Sequence, residues 1–210
     1  MNDRSVALMC SAPRTGDAKI CIMTANPPVT IWTLGHGQRS FDEYVEMLSD
    51  YDIQVVVDVR SKPVTRFTPY FNRLRLQDAL EEVGFRYVYL GDKLGGMPDS
   101  SEFYDAEGRT LYAPIARQSW FADGIAQVEG LASARTVALT CLEEDPERCH
   151  RHLLLGKALT DRGAAVLHIR HAGYTETQAE LDTRMGVTAA SYVDEAWRSP
   201  IPMRGGHNRR

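Results

Sequence analysis

Residues 136–151 read TVALTCLEEDPERCHR. The first five are small, apolar or β-branched, the pattern of a strand buried on both faces. A helix-like run, Leu153–Leu159, follows. Residues 141–151 therefore form a strand-to-helix junction, and in an open α/β sheet such junctions are where ligands bind. This one is crowded with reactive groups: Cys141, Cys149, His150, His152, Arg148 and Arg151, with Glu143, Glu144, Asp145 and Glu147 between them. Asp145-Pro146 reads as the N-cap and first residue of the helix. That start places Cys149 in the first helical turn.

Working outward, the chain alternates strand and helix signals. Val29–Leu34 is β-rich and ends in Gly35-His36-Gly37. Ser40 with Glu43 forms a capping-box pattern before a helix with Phe41, Tyr44, Val45 and Leu48 on one face. Ile53–Val59 is almost wholly apolar and ends in Asp58-Val59-Arg60. A helix is predicted from about Arg73 to Val83, a strand over Phe85–Leu90, a helix over Ile115–Leu131 and a last strand over Ala165–Ile169. This alternation predicts one α/β domain with a mainly parallel sheet of about five strands and helices on both faces, Rossmann-like in outline. Strand orders 2-1-3-4-5 and 3-2-1-4-5 both fit. The expected organisation is a poorly ordered extension over 1–28, the domain over 29–170, and a tail with short helices over 171–210. Met23 is a candidate true start, because organised sequence begins at about Val29.

Parallel strands with right-handed crossovers put all their C-terminal ends on one edge. His36, Asp58, Arg60, Gly95-Gly96 and Cys141 all fall at or just beyond such ends. The expectation is one polar cleft that gathers them.

Bulk properties narrow the function. With 43% hydrophobic and 25% charged residues the chain has the composition of a globular protein. Its net charge of -4 argues against a generic polyanion binder. Residues 60–76, however, carry +5 with no acid, leaving -9 for the rest. That segment is either a solvated basic loop or an anion site. Four cysteines do not make a secreted disulfide framework, so a reducing cytosol is expected. No apolar run approaches the ~20 residues of a membrane span.

Several motifs also carry a resemblance. L-G-H at 34–36, V-D-V-R-S-x-P at 57–63, P-x-F-N at 69–72, L-G-G at 94–96 and C-x-E-x-D-P-x-x-C-H-R at 141–151 occur in order. Together they resemble the domain-of-unknown-function 488 family over about Thr30–Ile169. The resemblance implies that His36, Asp58, Arg60, Cys141, Glu143, Cys149, His150 and Arg151 are hallmark positions. It implies no particular reaction. Thr140 and Leu142 depart from the residues most expected beside Cys141.

Three chemistries suit these residues. In the first, Cys141, Cys149, Glu143 and either His36 or His150 bind a divalent transition metal, although Cys-x7-Cys is not a standard zinc spacing. The second is a phosphatase- or sulfurtransferase-type cysteine loop. Four carboxylates within ~10 Å of a phosphate oppose it by about 1 kcal/mol each. The third is acid/base or thiolate catalysis on a nucleotide-like, nucleic-acid or other phosphate-bearing substrate. Cys149 would then be the thiolate, with Glu143, His36, Asp58, Cys141 and His150 in catalytic roles. Arg60, Arg66 and Arg151 would hold phosphate, Phe67, Tyr70 and Phe71 would stack a base, Asn72 would read its edge, and Gly95 and Gly96 would admit the ligand. A non-enzymatic anion sensor uses the same cleft. Competing structural roles are a Cys149 buried in the core and an Asp58–Arg60 ion pair.

Overall fold

In the computed structural model, residues 28–203 are described. Expectations for the remaining ends, including the one on Met23, lie outside the described residues. The strands are β1 (Thr30–Gly35), β2 (Val55–Asp58), β3 (Arg86–Tyr89), β4 (Val137–Cys141), β5 (Ala165–Ile169) and β6 (Thr175–Thr177). They form one mixed sheet in the order β3-β2-β4-β1-β5-β6. The first five are parallel and β6 is antiparallel to β5. Every residue of β2 and β4 is buried, Asp58 and Thr140 included, as strands covered on both faces require.

The observed order is neither of the two anticipated. β4 inserts between β1 and β2, so β1 reaches β2 by crossing over it. The chain leaves β1 toward β2 on one side and leaves β4 toward β5 on the other. The topological switch point therefore lies between β1 and β4, where Gly35 is in register with Cys141. A sixth strand is also added: the segment past residue 170 pairs with β5 and continues into α7 (Gln178–Met185).

Helices cover both faces. On one face α1 (Phe41–Asp50) and α2 (Arg73–Glu82) pack Tyr44, Leu48, Leu76 and Leu80 onto Leu34, Val56 and Ala138. On the other, α3 (Gly91–Leu94), α4 (Tyr112–Ala116), α5 (Ser119–Ala132) and α6 (Lys157–Asp161) cover Ile31, Val55, Val57 and Leu139. The capping box of α1 is present, with Ser40 N donating to Glu43 Oε2 at 2.7 Å and Glu43 N donating to Ser40 Oγ at 3.2 Å. The single helix expected over Ile115–Leu131 is two, α4 and α5, with Gln118 capping the second in extended backbone. No helix among the described residues is long and apolar enough to cross a membrane.

The largest local correction falls at the junction. Pro146–Arg148 is a single 3-10 turn, which Asp145 caps by accepting from Glu147 N at 2.9 Å. Cys149 is extended (φ -100°, ψ 144°), so the helix does not run from Pro146. It restarts after Cys149, whose carbonyl accepts from His152 N and Leu153 N at 3.1 and 3.3 Å. Its first six residues, Arg151–Gly156, form a π-helical turn before α6. Such wide turns often mark functional sites. Here the break turns the side chains of Cys149 and His150 back toward the end of β4.

Candidate metal centre

Cys141 ends β4 with its side chain on the α5–α6 face, the parity of Val137 and Leu139. The loop after it returns Glu143 over the strand end, and the extended residue before the π turn delivers Cys149 and His150. Three donor atoms meet, and a carboxylate oxygen touches two of them. Glu143 Oε2 lies 3.0 Å from Cys141 Sγ and 3.3 Å from Cys149 Sγ. His150 Nδ1 lies 3.8 and 3.7 Å from the same two sulfurs. The thiols are free, and Cys141, Cys149 and His150 are all buried. The ligand atoms of these three residues lie within 4.8 Å of one another.

The surroundings fix this geometry. His150 Nε2 donates to the Val59 carbonyl at 3.1 Å, so Nδ1 is the ring nitrogen that faces the sulfurs. Gly96 lies against the His150 ring, where a Cβ would come within 2.8 Å of a ring carbon. Gly35 lies against the loop, where a Cβ would come within 1.7 Å of the Glu143 carbonyl oxygen. Both glycines are thus required by close packing.

Charge is concentrated here. Arg151 is wholly buried beside the cluster. It donates to Thr33 Oγ1 at 3.2 Å and to the Glu143 and Glu144 carbonyls at 2.5 and 3.2 Å, and its Nε has no partner. Burial opposes ionisation of Cys149, but a hydrogen bond from Cys141 and the charges of Arg151 and His150 outweigh it and hold its thiol well below the usual range. The hydrogen bond to Cys149, then burial, push Cys141 up. Burial and the neighbouring Cys149 raise the Glu143 carboxyl.

His36, Asp58 and Arg60 do meet, but on the α1–α2 face. Asp58 is in register with Thr140, not Cys141, so side-chain alternation puts it on the opposite side of the sheet from the thiols. Asp58 Oδ1 accepts from Arg60 N and Nε at 3.0 and 2.9 Å. Its Oδ2 accepts from Arg60 NH2 at 2.5 Å and Tyr87 Oη at 2.7 Å. Arg60 NH1 donates to His36 Nε2 at 3.1 Å, and His36 Nδ1 donates to the Gly37 carbonyl at 3.0 Å. The His36 ring stacks on Phe71 with centroids 4.0 Å apart. Burial, then Arg60, lower its pKa to about 3. The single cleft expected from the sequence is therefore two clusters back to back, linked by the His150–Val59 hydrogen bond.

Other predicted residues stand elsewhere. Arg66 is exposed, its guanidinium 4.9 Å from the Phe67 ring centroid. Asn72 Oδ1 accepts from Thr65 N at 2.6 Å and closes its own loop. Gly95 lies against Ser61, at a cavity of about 440 Å³ walled by Tyr89, Phe103 and Trp120. Sequence reasoning passed over Thr33, Tyr87 and Tyr112. Thr33 was findable, since it shares the parity of Ile31 and is the one polar side chain on that face of β1. Tyr112 packs in the same core as Cys141 and Cys149, from a helix whose placement no local pattern specifies.

The chain is thus an α/β protein with a buried cysteine–histidine cluster, flanked by Glu143, at its switch point. It belongs to the family described as Domain of unknown function DUF488, whose model matches residues 40–158, more than half of the chain. Asp58, Arg60 and the whole Cys141–Arg151 motif fall inside the match, and His36 falls just before it. No curated protein and no solved structure matches significantly.

Proposed function

We propose that the chain is a metalloprotein in which Cys141, Cys149, His150 and Glu143 hold one divalent transition metal. The observation that carries this reading is the convergence of the Cys141, Cys149 and His150 donor atoms within 4.8 Å of one another, with Glu143 Oε2 at 3.0 and 3.3 Å from the two sulfurs. Metal–ligand bonds of about 2.0–2.3 Å place tetrahedral donors about 3.3–3.8 Å apart. Two thiolates with one imidazole and one carboxylate suit zinc best among common ions. The hydrogen bond from His150 Nε2 to a backbone carbonyl is the usual outer support of a ligating imidazole.

Charge balance supports the same assignment. A buried guanidinium without an anionic partner is costly. Arg151 makes its hydrogen bonds to a hydroxyl and two carbonyls, so the anion it faces is the Cys149 thiolate rather than a carboxylate. A dication with two thiolates and one carboxylate leaves a single negative charge, which Arg151 offsets. The rival reading, a phosphate clamp made of Arg60 and Arg151, draws less support, because Arg60 is engaged by Asp58 and His36 on the opposite face of the sheet from Arg151.

Elemental analysis and native mass of the purified chain test the proposal. About one zinc or similar ion per chain is expected, lost in Cys149→Ser. After chelation, cobalt(II) should restore an intense tetrahedral visible spectrum with sulfur-to-cobalt charge transfer. A folded, metal-free chain that takes up neither zinc nor cobalt refutes it.

A further inference from the structure

The four donors are not equivalent. Cys141, Cys149 and His150 are 5%, 0% and 4% exposed and sit at the ends of packed elements. Glu143 stands on the connecting loop and is only half-buried. Its backbone is held by Arg151 NH2, 2.5 Å from its carbonyl oxygen, and by the close approach of Gly35. Its carboxylate, by contrast, is held by the two sulfur contacts. The loop therefore keeps its place whether or not the carboxylate does.

A second observation points to what replaces it. Tyr112 on α4 is wholly buried, and its hydroxyl has no hydrogen-bond partner. Ser199 lies beside it, but its own hydrogen goes to the Ile201 carbonyl at 2.8 Å, so it does not donate to Tyr112. Tyr112 packs in the same buried core as Cys141 and Cys149, so this unpaired donor lies on the side of the sheet that carries the cluster. Buried hydroxyls are ordinarily paired.

We infer that Glu143 is an exchangeable ligand, and that the centre takes a small monodentate anion in its place, hydrogen-bonded by the Tyr112 hydroxyl. This rests on the metal reading above. The ligand is anionic because Arg151 needs one net negative charge on the centre, which a neutral donor in place of the carboxylate would remove. It is small because the other three ligands are buried. Tyr112 is a positioning residue for this ligand.

Azide titration of the cobalt-loaded protein, followed in the visible bands, tests the inference in the wild type, Glu143→Ala and Tyr112→Phe. Saturable shifts are expected in the wild type. Glu143→Ala should retain cobalt and bind azide at least about tenfold more tightly, because no carboxylate competes. Tyr112→Phe should keep its cobalt and bind azide about five- to tenfold more weakly, the loss of one hydrogen bond. Spectra unchanged by azide in both the wild type and Glu143→Ala overturn the inference. So does loss of cobalt from Glu143→Ala, which makes Glu143 a fixed ligand, and unaltered azide affinity in Tyr112→Phe removes that residue's role. A wild type that binds no cobalt defeats the metal reading itself, a result distinct from all of these.

Discussion

The two polar clusters at the strand ends differ in one respect that decides their roles. Around Asp58 the hydrogen bonds close on themselves: the carboxylate accepts four, His36 accepts one and donates one, and Tyr87 donates one. Around Cys149 they do not. Arg151 Nε and Tyr112 Oη lack partners, and two thiols share one carboxylate and one imidazole. A satisfied buried network positions backbone, whereas an unsatisfied one in a native fold needs an explanation. Here the first holds the ends of β1 and β2 in place, and the second is the proposed ligand site.

The largest effect that can break this comparison is metal removal. Because a bound ion stabilises only the folded chain, a metal at ~1,000 times its dissociation constant adds about 4 kcal/mol. Chelation should lower the melting temperature in the wild type and leave Cys141→Ser or Cys149→Ser almost unmoved. Equal melting with and without chelator would make the open cluster as self-contained as the closed one.

Next is Asp58→Asn. It strands the buried Arg60 cation, and breaking such a pair costs about 3–5 kcal/mol. Urea melts should show the loss while metal content stays at the wild-type level. Replacing both partners, Asp58→Asn with Arg60→Met, should recover much of it. A drop in bound metal on Asp58→Asn would show that the clusters are one site.

The pH dependence follows from two histidines. His36 and His168 are lowered to about 3, both chiefly by burial, the first then by Arg60 and the second by Arg151. The folded chain keeps them neutral where the unfolded chain binds protons. Their contribution is therefore complete above about pH 6.5 and is lost as pH falls from there toward 3. Each adds a slope of about 1.4 kcal/mol per pH unit within that window. Metal-stripped His36→Gln should show a slope shallower by one proton than the stripped wild type. An unchanged slope would mean that His36 is protonated in the fold, and that the Arg60–His36 hydrogen bond is absent.

How much of this was legible depends on which distances the chain encodes. Ile53–Val59 and Thr136–Cys141 announce buried strands because both faces must be apolar, and Ser40 with Glu43 announces a helix start because capping is local. The meeting of Cys141, Glu143, Cys149 and His150 was half visible, since they are near in sequence. Their split from His36 and Asp58 was not. Parity along a strand assigns a face only once the register is known, and the register of Asp58 with Thr140 follows from the insertion of β4 beside β2, which no local pattern encodes. The π turn was hidden as well, because Leu153–Leu159 suits an ordinary α-helix. Arg66 shows the same limit: composition finds a basic loop, but the loop's path decides where the charge stands.

The finest test applies one substitution to both clusters. Tyr87 donates to Asp58 Oδ2 at 2.7 Å, a hydrogen bond to a buried charge. Tyr87→Phe should cost about 1.5–3 kcal/mol, since the carboxylate loses a donor it cannot replace. Tyr112→Phe removes the same atom from a position where it has no partner. Without metal or added anion it should be neutral or stabilising, because an unpaired hydroxyl leaves the interior. Opposite signs from one chemical change, read in urea melts of the metal-stripped proteins, would establish that one cluster is complete and the other awaits a ligand. If both variants lose stability alike, Tyr112 is paired within the fold and the open cluster is closed after all.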